Sequence, residues 1–97
     1  MRFRLPQSVK IGAATYRVRE SATLRDDREH DGEVDYRTQI MTVQSGMTAE
    51  AALETYLHEC IHLVASDRRI NLRERDCDQL AAGLAQIAVD NGWRIGG

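Results

Sequence analysis

Ten residues, "TYLHECIHLV" (Thr55–Val64), constrain this chain more than any other stretch. They place two histidines four positions apart, with a glutamate directly after the first. Residues i and i+4 of an α-helix project from one face, one turn apart, so His58 and His62 can share a partner if the segment is helical. The flanking residues agree with a helix. Leu53, Leu57, Ile61 and Val64 recur at helical spacing and predict a core-facing stripe, with both histidines on a neighbouring face. The "SGM" break (Ser45–Met47) precedes Thr48, which suits a helix N-cap.

The residues on either side of this helix set the fold class. "SDRRIN" (Ser66–Asn71) reads as a polar connection. A second helix is expected from about Leu72 to Val89, with Cys77, Leu80, Ala81, Leu84 and Ala88 on one face and Gly92 as its stop. The N-terminal half reads as strand. "VKIGAATYRVRE" (Val9–Glu20) alternates in part, with Gly12 at a turn or bend. "RDDREHDGE" (Arg25–Glu33) reads as a solvated loop. "EVDYRTQIMTV" (Glu33–Val43) is either a short strand pair or one strand continued past a bend. A chain of 97 residues suits one domain spanning 1–97, and a core that small gains from a bound ion.

Composition narrows the function. Thirteen Lys and Arg against fifteen Asp and Glu leave a formal net charge of −2, without the basic excess of a nucleic-acid binder. No apolar run approaches the roughly 18 residues that span a bilayer. "MRFRLPQSVK" carries no apolar segment of a secretory signal, and two cysteines are too few for a disulfide scaffold. These features lead us to expect a reduced, cytoplasmic setting.

His58, Glu59 and His62 form the H-E-x-x-H pattern, in which two zinc ligands flank a general base that can reach a water on the ion. The plainer alternative is a helix with two exposed histidines. A catalytic zinc usually takes three protein ligands and keeps one position for water. "ERDCD" on the second helix offers Glu74 as the third ligand. Asp78, one turn on, is placed to accept the second ring N–H of a ligating histidine. Glu74 has a competing role, because "NLRE" (Asn71–Glu74) resembles a capping box in which the glutamate bonds backbone N–H groups. Asp76 and Asp67 are weaker candidates. Cys60 sits about 200° around the helix from His58 and cannot share its ion. Cys77 falls on the apolar stripe, so both cysteines read as buried free thiols. His30 reads as solvated.

With these residues in view, the chain resembles the gluzincin zinc metallopeptidases, most closely their minimal, minigluzincin-like members of phages and prophages. The resemblance covers "LETYLHECIHLV", "RERDCDQLAAGLAQIAVDN" and the strand "GEVDYRTQIMTV". It implies an α+β fold: a small, mainly antiparallel sheet packed on the H-E-x-x-H helix, followed by a helix carrying the third ligand. It further implies Zn2+ held by His58, His62 and Glu74, Glu59 as general base, and Asp78 as outer partner of His58. The expected activity is hydrolysis of a peptide or protein substrate through a zinc-activated water, with substrate added as a strand along the sheet edge near Glu33–Val43. The large C-terminal subdomain of full-sized gluzincins has no counterpart, which implies a shallow cleft. Tyr16, Tyr36 and His30 are all open as the group that stabilises the transition state. The rival readings are a closed structural zinc site and a non-catalytic, zinc-stabilised phage or regulatory interaction domain.

Overall fold

The computed structural model of the chain describes residues 2–96. In chain order its elements are β1 (Arg2–Phe3), β2 (Ser8–Ile11), β3 (Ala14–Ser21), α1 (Leu24–Arg28), β4 (Gly32–Asp35), β5 (Ile40–Gln44), α2 (Ala49–Arg68), α3 (Glu74–Asp90) and β6 (Arg94–Ile95). β2 and β3 form a hairpin that turns at Gly12, whose φ of +58° suits glycine. A Cβ there would also run into the Asp67 carboxylate near the end of α2, so the turn position is constrained twice.

The main sheet has the order β2-β3-β5-β4. Its outer pairs are antiparallel, as expected, but its central pair β3–β5 is parallel, with Arg17 opposite Ile40 and Ser21 opposite Gln44. The sheet is therefore mixed. The reason is the crossover through residues 22–39. It carries α1 and then β4, which folds back on the far side of β5 and leaves β5 to run alongside β3. The expected solvated loop at 25–33 thus contains a short helix, anchored by the buried Leu24, and supplies the start of the edge strand. β1 and β6 form a separate two-stranded parallel pair that ties the two ends together.

Thr48 caps α2 by accepting the Ala51 N–H at 3.2 Å. The helix ends at Arg69, where a left-handed residue (φ 57°) lets its N–H return to the last turn. One face of α2 packs Tyr56 and Leu63 against Tyr16, Met41 and Val43 of the sheet. Val64, expected on the buried stripe, is exposed, because the buried face runs instead through Leu53, Tyr56, Glu59 and Leu63.

α3 returns antiparallel to α2, with Cys77 beside His62 and Ala85 and Ala88 beside Leu53. Its contact face is Cys77, Ala81, Ala85 and Ala88. Small residues at i, i+4, i+8 and i+11 allow close helix approach, which moves Leu80 and Leu84 from the expected seam to its exposed rim. None of the described helices is long and apolar enough to cross a membrane.

Candidate metal centre

The histidines project from α2 toward the first turn of α3. Their Nε2 atoms lie 3.0 Å apart, and the rings cross at 61°. Glu74 closes a triangle with them, its Oε1 lying 2.7 Å from His58 Nε2 and its Oε2 3.0 Å from His62 Nε2. Ligand atoms about 2.1 Å from a tetrahedral ion stand roughly 3.4 Å apart, so the triangle would have to widen by roughly 0.4–0.7 Å along its edges to admit zinc. The donor set, two imidazole nitrogens and a carboxylate, also suits zinc chemically.

The geometry of the α3 N-terminus bears on the cap reading of Glu74. The N-cap of α3 is Arg73, and its backbone N–H donates to Asp76 Oδ2 at 2.9 Å. Asp76 thus supplies the return bond of the capping box, while the Glu74 carboxylate, at the first helical position, turns to the histidines. Asp78 Oδ1 lies 2.8 Å from His58 Nδ1, on the ring edge opposite the triangle, where a carboxylate fixes the orientation of the imidazole.

Glu59 is the one buried charged side chain among the described residues. Its carboxyl is pushed above the usual carboxylate range, chiefly by burial. The nearby His58 and His62 oppose that rise, Glu74 adds to it, and His30 opposes it weakly. Glu59 opens onto a cleft of ≈ 480 Å³. One wall is α2, through Ala51, Glu54, Thr55 and His58, spaced as one helix face. The other runs from Glu29 to Gly32, and Glu74 and Asp78 lie at the α3 end.

The structure separates the three candidate donors. Tyr16 is buried in the core. His30 is exposed, as expected, and lines the cleft. Tyr36 is exposed and meets Tyr16 edge-on, its hydroxyl pushed up in pKa by partial burial and then by Tyr16 and Glu59. Asp67 is remote from the cluster, beside Gly12. Cys60 is free and packs on the sheet-side core.

Two residues carry roles that sequence reasoning did not assign. Gly32, where β4 begins, approaches α2 so closely that a Cβ would stand 2.7 Å from Thr55 Cγ2 and 3.3 Å from Glu59 Oε2. Cys77 is buried as expected, but its Sγ also lies 3.7 Å from His62 Nδ1. The "DG" pair in an acidic stretch was the available signal for Gly32. For Cys77 it was the i+3 spacing from Glu74. No family model, curated protein or solved structure matches this chain.

Proposed function

We propose that this chain is a zinc-dependent metallopeptidase of the gluzincin type. The observation that carries the reading is the convergence of His58, His62 and Glu74 beside a buried glutamate that opens onto a cleft. Bound zinc would supply Lewis-acid polarisation of a water and of the scissile carbonyl. His58, His62 and Glu74 would hold the ion, and Asp78 would orient His58 by accepting its Nδ1–H.

Glu59 acts as general base. It accepts a proton from the attacking water and passes it to the leaving amine. Burial raises its proton affinity, which suits both halves of that transfer. β4 is an edge strand that starts in the cleft wall, so an extended peptide that adds to it passes the metal cluster. Glu29 and Glu54 make the cleft walls acidic, and no Lys or Arg lines them, which favours neutral or basic residues around the scissile bond.

The test compares wild type with Glu59→Gln on casein-like protein and on short peptides. The variant is expected to keep one zinc per chain and lose hydrolysis, because an amide cannot serve as the base. Near-wild-type activity in the variant would overturn the general-base role. Zinc binding without hydrolysis in wild type would support the interaction-domain reading instead.

A further inference from the structure

The first turns of α3 present Glu74, Cys77 and Asp78 to α2 at i, i+3 and i+4, so all three lie on one helix face. Glu74 faces the Nε2 edges of both histidines. Behind them, Asp78 Oδ1 stands 2.8 Å from His58 Nδ1, and Cys77 Sγ stands 3.7 Å from His62 Nδ1. Each ring is thus gripped at both edges by the same helix.

We propose that Cys77 is a positioning residue for His62, its sulfur accepting the Nδ1–H so that Nε2 faces the metal cluster as a lone pair. The inference rests on the metal-site reading above. A neutral imidazole carries one N–H, and the nitrogen without it is the ligand atom, so a rear acceptor selects the binding tautomer. Cys77 cannot itself join the ion held at Nε2, because its sulfur sits at the opposite edge of the ring. Its complete burial keeps water from taking the same place. The two histidines are then held unequally, His58 by an exposed carboxylate and His62 by a neutral, buried thiol. Sulfur accepts hydrogen bonds weakly, so its main contribution is to fix ring direction.

The experiment measures zinc affinity by competition with a chelator in wild type, Cys77→Ala, Cys77→Val and Cys77→Ser. It also follows the His62 Nδ1–H in the zinc-loaded proteins by nitrogen-15 NMR. Alanine and valine both remove the acceptor, and valine keeps most of the side-chain volume. Each is expected to weaken zinc about 10-fold and to speed solvent exchange of the Nδ1 proton. Serine restores an acceptor and is expected to recover most of the affinity, which a packing role alone would not predict. Wild-type affinity and proton exchange in the valine variant would overturn the proposal, as would a serine variant no better than alanine. Absence of zinc binding in wild type would instead overturn the metal-site reading, so the two failures are distinguishable.

Discussion

The two faces of α2 are built on opposite principles. Toward the sheet, Tyr56 and Leu63 pack against Tyr16, Met41 and Val43 in a cluster with no charged side chain. Toward α3 and the cleft, His58, Glu59 and His62 meet Glu74 and Asp78, a concentration of carboxylates that gains from a cation. On the proposed reading the first face holds the fold with or without metal, while the second would be completed by it. One helix would then separate stability from chemistry, and its two faces should respond to different perturbations.

The largest effect should come from the apolar face. Met41→Ala removes a fully buried side chain at the centre of the sheet and is expected to cost about 2–5 kcal/mol. Equilibrium unfolding should give the same loss in metal-free and zinc-loaded protein. A loss that differs strongly between the two would break the separation of the faces.

Glu74→Ala attacks the other face. The thermal shift on adding zinc is expected to shrink to a small fraction of the wild-type shift, with little change in the metal-free protein. Asp78→Ala should weaken zinc roughly 10- to 100-fold, equivalent to about 1.4–2.7 kcal/mol of zinc-linked stability at high zinc. Equal zinc-induced shifts in wild type and Glu74→Ala would remove Glu74 from the ligand set.

Gly32→Ala probes the seam where the edge strand touches the chemical face. Because the clash is with Thr55 Cγ2 and Glu59, it is expected to cost about 1–3 kcal/mol and to displace the glutamate. Thr55→Ser removes the nearest methyl and should recover part of the stability in the double variant. Additive losses in that double-mutant cycle would show that the two residues do not press on each other.

The same contrast explains how much was legible in the sequence. α2 was readable because Thr48 and the 3.6-residue period are local signals, and its histidine spacing fixes a shared face. The i+4 spacing within α3 placed Asp78 near a ligating histidine without selecting which one; that the partner is His58 was implied only by the family resemblance. The parallel β3–β5 pair was not readable, because strand order depends on where the crossover carries β4. Leu80 and Leu84 were misplaced because hydrophobicity favours leucine in a seam, whereas close helix packing selected the alanines. Cys77 reads as a small apolar residue in any pattern, and only the position of α3 sets its sulfur against His62.

The smallest effect is also the most specific to the chemical face. Glu59 is buried, and its carboxyl is raised mainly by that burial, so ionising it in the metal-free protein is unfavourable. The unfolded carboxyl titrates near about 4.3, below the folded value. Its contribution to stability is therefore full below that range and is lost as pH rises through the raised folded value. Glutamine never ionises. Metal-free Glu59→Gln should match wild type in mild acid, become the more stable of the two as pH rises, and hold a constant advantage once the wild-type carboxylate is fully ionised. Denaturant unfolding of both proteins across that range measures the difference, and the other titrating groups cancel because both carry them. A difference independent of pH would mean that Glu59 has a charge-insensitive packing role. A difference that opens with rising pH would mark it as a charge that this face holds at a cost to stability.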